Sequence, residues 1–511
     1  MAKGHEAPAA QGAPQEGKAV AERPFSVIGL IGLVAGPLVA FAFFMTEPRI
    51  AVSAPAWSMI GFTLWMVIWW LTEAVPIPIT SLLPLPVMPL VGLLPMDEVA
   101  PSYSDPLILL FLGGFILAGG LEQVGLHRRI AINIVHRIGT TPNLIVLGFM
   151  LASAFLSMWI SNVATTIMMF AVAMSVIGFI SERTGDERIT RNFGVALLLA
   201  VAYAASIGGV GTIIGSIPNG LMVSFLRNNH GIEIGFFDWM LLGIPIVALM
   251  IPIVWLILTR LLFPAAMDGV EGLGAVIERE YCALGRWSRG EVVVACVFGA
   301  AATLWVLRPA INAQFGLGVS DTMIAIFAAI MIFVVPTRLS RGERASDAFA
   351  VNWQVSRKVP WGVLLLFGGG LALAAGFAAT GLADAIGTAV SGLPVPTYVL
   401  VLVALASVML LTEVTSNTAT TATFLPILGA VAVGLGLPAV TLAIPVAIAA
   451  SMAFMMPVAT PPNAIVFAYD KMRLADMVHA GALVNLTGIA VSYILILLLA
   501  PSLFGATIFD R

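Results

Sequence analysis

Apolar residues run along this chain in long blocks separated by short polar connectors. A helix needs about 20 apolar residues to span a bilayer, and most of the blocks reach that length. They fall near 26–45, 56–74, 76–94, 106–124, 142–180, 192–226 and 238–262, then 290–307, 319–336, 361–380, 397–436, 439–469 and 481–503. Two shorter stretches, 127–138 and 382–391, alternate apolar and polar positions in the manner of helices lying at an interface. The block at 76–94 is rich in proline (Pro76, Pro78, Pro84, Pro86, Pro89) and follows a break at Thr72-Glu73-Ala74-Val75. Blocks 142–180 and 397–436 are about twice a span in length and have polar centres, Ser161-Asn162 and Ser416-Asn417. Two further blocks are interrupted, at 208–220 and 457–463.

The second half repeats the first in residues as well as in pattern. Phe111-Leu112-Gly113-Gly114 with Gly125-Leu126 matches Phe367-Gly368-Gly369-Gly370 with Gly381-Leu382. Ser161-Asn162-Val163-Ala164-Thr165-Thr166 matches Ser416-Asn417-Thr418-Ala419-Thr420-Thr421, and Gly215-Ser216-Ile217-Pro218-Asn219 matches Ala459-Thr460-Pro461-Pro462-Asn463. If the two long blocks are re-entrant hairpins, about eleven spans remain: one first span, then five in each repeat. An odd number per repeat makes the repeats inverted relative to each other. With the N-terminus inside, 20 of the 24 Lys and Arg fall on the cytoplasmic side, as the positive-inside rule asks. Arg49, Arg227, Arg308 and Arg511 fall outside. The predicted organisation is a disordered cytoplasmic tail (1–24), a first span (25–55), repeat 1 (56–262), a cytoplasmic linker (263–289) and repeat 2 (290–505).

Composition agrees with a polytopic all-α membrane protein. Of 511 residues 60% are hydrophobic and 10% charged, against about 25% charged in soluble domains. Two cysteines and five histidines provide neither a disulfide framework nor a metal cluster. No Walker-type phosphate loop is present, and no nucleophile–base pair lies in the apolar blocks, which argues against an ATP-driven pump and an enzyme. The net charge of −3 gives no reason to expect a nucleic-acid partner, and no organic cofactor is expected.

Helices broken in mid-membrane leave unpaired backbone groups, tolerable only where they line a cavity. Half-helix N-termini suit an anion; half-helix C-termini and unwound carbonyls suit a small cation. Two hairpin tips from inverted repeats would face each other near the midplane, a cradle for a substrate with two anionic ends. No Lys or Arg is placed near either tip, so cotransported Na⁺ would supply the missing positive charge.

These motifs resemble the divalent anion/Na⁺ symporter (DASS) family. The resemblance is carried by the paired Ser-Asn motifs, preceded by Met158-Trp159-Ile160 and Leu411-Thr412-Glu413. It extends to Trp70-Leu71-Thr72-Glu73-Ala74-Val75-Pro76 and to Met456-Pro457-Val458-Ala459-Thr460-Pro461-Pro462-Asn463. It runs from about residue 56 to 500. It implies eleven spans with two opposed hairpins, an elevator-type transporter, a homodimer in the cell (inner) membrane, and C4-dicarboxylates, citrate or sulfate as substrates. It further implies substrate contacts from Ser161, Asn162, Ser416, Asn417 and Thr418, with Thr460 and Pro461 tuning the choice. Sodium ligands are implied at Ser157, Ser161, Asn162 and Gly215, and at Thr412, Thr415, Asn417 and Ala459.

Val163, Ser216 and Ile217 depart from the family pattern, all in the first half. They predict a weaker hold on one substrate end or a bulkier, more apolar end. Thr165 or Thr166 can replace the hydroxyl missing at Val163 only by facing the cavity. Gly113, Gly114, Gly119 and Gly120 are read as close helix packing, His127 and His136 as interfacial side chains, and Glu73 as bracing the Pro76 break. The leading function is Na⁺-coupled import of a C4-dicarboxylate. The alternatives are sodium-independent dicarboxylate exchange, symport of citrate or sulfate, and cation/proton antiport through Glu73 or Glu413, intramembrane carboxylates being functional candidates by default.

Overall fold

In the segments flanking the hairpins, small residues let helices touch backbone to backbone. A Cβ on Gly113, in helix Pro106–Gln123, would lie 2.8 Å from the backbone of Ala325, and one on Gly208 would lie 2.3 Å from Ala154 O. Without a hydrophobic drive between helices in lipid, such close packing supplies the association. The computed structural model describes residues 27–184, 186–264, 273–337, 349–392 and 394–508. Among them there is no strand, only an isolated bridge between Pro336 and Phe349. Among the described residues ten helices are long and apolar enough to cross a membrane. The tail at 1–24 lies outside the described residues.

The proline-rich run at 76–94 departs from the predicted span. It forms two short helices, Ile77–Thr80 and Pro84–Leu90, because each proline removes a backbone donor and clashes with the preceding turn. Glu73 closes helix Ala54–Thr72 in the left-handed conformation, φ 48°. It is the single positive-φ residue other than glycine among the described ones.

Both long blocks fold as helical hairpins. The first has legs Pro142–Ser157 and Asn162–Thr184, the second Thr397–Thr412 and Asn417–Gly434. Helix Glu187–Gly209 packs along the first hairpin and helix Val440–Ala450 along the second. Each then breaks, and the chain resumes as Ile217–His230 and Pro461–Phe467. The first break, 210–216, lies inside the predicted 208–220. The second, 451–460, begins six residues before the predicted 457–463, for a reason found in the site.

The amphipathic stretch Leu126–Ile138 is held by a buried ion pair. Arg129 Nε donates to Glu291 Oε1 at 2.7 Å, and its other nitrogens donate to the carbonyls of Leu284, Gly285 and Arg286. The linker contains helix Leu273–Ala283, which docks on the same stretch through Arg128–Glu280 at 2.8 Å and a His136–Tyr281 ring stack. Glu122 pairs with Lys358 at 3.6 Å.

Candidate functional site

At the first hairpin tip the chain leaves one helix at Ser157 and enters the next at Asn162. Ser157 Oγ faces two oxygens at once, Asn162 Oδ1 and, at 2.5 Å, Ala205 O. A hydroxyl has one proton, so three oxygens share a single donor here. The second tip reproduces this arrangement. Thr412 Oγ1 lies 2.7 Å from Asn417 Oδ1 and 3.5 Å from Ala450 O. The spacing between halves is 255 for the first two residues of each triad and 245 for the third. Oxygen-rich, proton-poor clusters of neutral ligands suit a hard monovalent cation.

The unwound loops sit against these triads. A Cβ on Gly215 would lie 2.7 Å from Gly209 O, 3.0 Å from Ser157 O and 3.0 Å from Thr212 Oγ1, so glycine is required where the loop closes on the tip. Asn219 Nδ2 ties the first loop by donating to Gly209 O (3.1 Å) and Thr212 O (2.8 Å). Asn463 Nδ2 does the same in the second, to Ala453 O (3.1 Å) and Met456 O (3.0 Å). Ala459 lies in that second loop and is buried, its N–H bonded to Met456 O at 3.2 Å.

The helices Asn162–Thr184 and Asn417–Gly434 begin at the tips and present the N–H groups of their first turns. Ser161 Oγ accepts from Ala164 N at 3.1 Å and so occupies one donor. Ser416 makes no such cap, leaving the second N-terminus more open. Ser161 is exposed; Asn162, Val163, Ser416, Asn417 and Thr418 are half-buried. Thr460 caps helix Pro461–Phe467 through Asn463 N at 3.4 Å, and Pro461 is exposed beside it.

The hydroxyls of Thr415 and Thr166 are engaged elsewhere. Thr415 Oγ1 donates to Leu411 O at 2.8 Å and lies 2.6 Å from Thr420 Oγ1, away from the Asn417 triad. Thr166 is buried and its hydroxyl is spent on Asn162 O at 2.7 Å, so it does not replace the hydroxyl missing at Val163; Thr165 is buried with its hydroxyl unpartnered.

Sequence reasoning passed over Thr212, Asn219, Asn463, Ser451 and Asn485. The two asparagines were legible as a duplicated position, but nothing in one sequence says that they stitch a loop. Glu413 stood out as an intramembrane carboxylate. Its oxygens accept from the backbone N–H of Phe454, Met455 and Met456 (2.8, 2.9 and 3.1 Å) and from Asn485 Nδ2 (2.5 Å). This explains the early second break: three N–H groups are bonded to a side chain instead of to helix carbonyls.

Residues 27–506 match the family model described as the sodium:sulfate symporter transmembrane region. The chain belongs to the sodium:sulfate symporter family. This is the divalent anion/Na⁺ symporter group to which the paired motifs point. Within it the chain is 38% identical over 490 residues to the sodium-dependent dicarboxylate transporter SdcS of Staphylococcus saprophyticus, covering 94% of this chain and 93% of the relative. It is 37% identical over 500 residues to SdcS of Staphylococcus aureus strain USA300, covering 96% and 95%. Among solved structures, the Alcanivorax borkumensis YdaH transporter shares the fold, with TM-score 0.55 at 15% identity, over 88% of this chain and 98% of that one.

Proposed function

We propose that this protein is a sodium-coupled symporter that imports C4-dicarboxylates such as succinate, malate or fumarate. The observation that carries this reading is the duplicated triad, Ser157–Asn162–Ala205 O and Thr412–Asn417–Ala450 O, each at the N-terminus of a hairpin's second leg. The names of the Staphylococcus relatives support the substrate class and the coupling ion.

In this reading each half supplies one sodium site and one anion cradle. Ser157, Ser161, Asn162 and Gly215 hold one Na⁺; Thr412, Asn417 and Ala459 hold its mate, while the Thr415 hydroxyl is taken up by Leu411 O and Thr420. The substrate carboxylates bind at Ser161 and Asn162 and at Ser416, Asn417 and Thr418, with Thr460 and Pro461 alongside. Sodium bound beside each N-terminus offsets the substrate charge and turns the ion gradient into substrate accumulation. The protein works as a homodimer in the cell membrane with its N-terminus cytoplasmic, and the hairpin-bearing part moves as an elevator against the rest. The Glu413 carboxylate, engaged by four donors, does not favour proton antiport.

Uptake of labelled succinate by the purified protein in liposomes tests this. Accumulation in empty vesicles under an inward Na⁺ gradient is expected. Uptake confined to succinate-loaded vesicles and indifferent to Na⁺ would replace symport with exchange; uptake of citrate or sulfate alone would replace the substrate.

A further inference from the structure

Beside the hairpin tips the two halves differ in charge: the second has a buried carboxylate, Glu413. Glu413 follows directly on Thr412, and both Glu413 and its partner Asn485 are 4% exposed. Oε1 accepts from Phe454 N and Asn485 Nδ2, and Oε2 from Met455 N and Met456 N. Every contact to the carboxylate is a donor. Among the described residues no Lys, Arg or His lies within ion-pair distance of it.

The repeat-related position in the first half is Met158, which brings no charge. There the loop is tied through its backbone: Thr212 Oγ1 donates to Met158 O at 2.5 Å. The N–H groups of Val210 and Gly211 stay on helix carbonyls, Ile207 O at 3.1 Å and Gly208 O at 2.9 Å. In the second half the corresponding N–H groups have left the helix for Glu413. Asn463 holds the carbonyls of Ala453 and Met456 from the other side, so the 451–460 loop is stitched at both its donors and its acceptors.

A buried carboxylate held only by neutral donors carries an uncompensated negative charge, and its attraction for a nearby cation is weakly screened. Neutral dipoles stabilise it in place without cancelling it. We propose that Glu413 is the positioning residue of the second cation site. It holds the 451–460 loop unwound beside the Thr412–Asn417–Ala450 O triad, and it supplies a fixed counter-charge that the first site lacks. The two sites are therefore unequal, and the second binds its sodium more tightly. This rests on the sodium-coupled reading above.

The test is direct binding of radioactive sodium to the purified full-length protein at constant ionic strength, without transport. The wild type is expected to titrate in two phases. Glu413→Gln should raise the half-saturating sodium of the tighter phase at least about tenfold, and Glu413→Asp should recover part of it because the charge is kept. Thr412→Ala should abolish the tighter phase and Ser157→Ala the weaker one. That pair decides the matter even where Glu413→Gln is not recovered folded. A wild-type curve for Glu413→Gln, or loss of the weaker phase in Thr412→Ala, overturns the proposal. No sodium binding by the wild type overturns the symport reading along with it.

Discussion

Ser216 Oγ lies 2.7 Å from Ser451 Oγ, both buried, and so joins the unwound loop of the first half to the broken span of the second. Ser451 also donates to Ala447 O at 2.9 Å, so the remaining proton of the pair belongs to Ser216. The Ser216 hydroxyl thus serves the junction between repeats. With the two exposed cysteines Cys282 and Cys296 replaced, the double variant Ser216→Cys/Ser451→Cys should cross-link under mild oxidation. In the elevator reading proposed above the two loops move together, so uptake should persist. Thiol labelling before and after oxidation reads the cross-link. Full cross-linking with complete loss of uptake would mean that the loops separate during the cycle.

Asn162→Ala and Asn417→Ala each remove the amide of one oxygen triad. Sodium-driven uptake should fall at least about tenfold in either variant, with membrane expression unchanged. Near-normal uptake by both would remove these residues from the site.

Val163 stands where the second half has Thr418, in the first turn of a hairpin helix. Val163→Thr adds a hydroxyl there, at a half-buried position. Competition by a panel of diacids should show a shifted preference. An unchanged profile would place the Val163 side chain away from the substrate.

Arg129 and Glu291 form an ion pair whose side chains are 7% and 8% exposed. Removing one partner of such a pair leaves a buried charge and costs about 3–5 kcal/mol, whereas replacing both with apolar residues is far less harmful. Arg129→Met should therefore lower the unfolding temperature of the purified protein sharply, and Arg129→Met/Glu291→Met should recover much of the loss.

Gly387 and Gly434 bring the second amphipathic helix against the second leg of its hairpin. A Cβ on Gly434 would lie 2.0 Å from Gly387 Cα. Backbone cannot move aside as a flexible side chain does, so Gly434→Ala should destabilise by about 1–3 kcal/mol, read as a lowered unfolding temperature. A wild-type temperature would show that the two helices can part at little cost.

Much of this architecture is written in one dimension. The lengths of the apolar runs determined the helical membrane class, because a bilayer accepts only backbones that satisfy their own hydrogen bonds. The duplicated Ser-Asn motifs located both hairpin tips to the residue, since the legs meet at Ser157/Asn162 and Thr412/Asn417. Sequence patterning went wrong where prolines and side chains compete with the helix. The run at 76–94 looks continuous in hydropathy, yet its prolines cut it in two. Only the tertiary structure decided that Glu413 opens the second span early, that Asn219 and Asn463 stitch the loops, and that Thr415 turns away from its triad. These outcomes depend on which distant donor meets which acceptor: Glu413 meets Asn485 across 72 positions and Ser216 meets Ser451 across 235. Hydrophobic periodicity records which face is buried, and a polar contact between two breaks in two helices leaves no period to read.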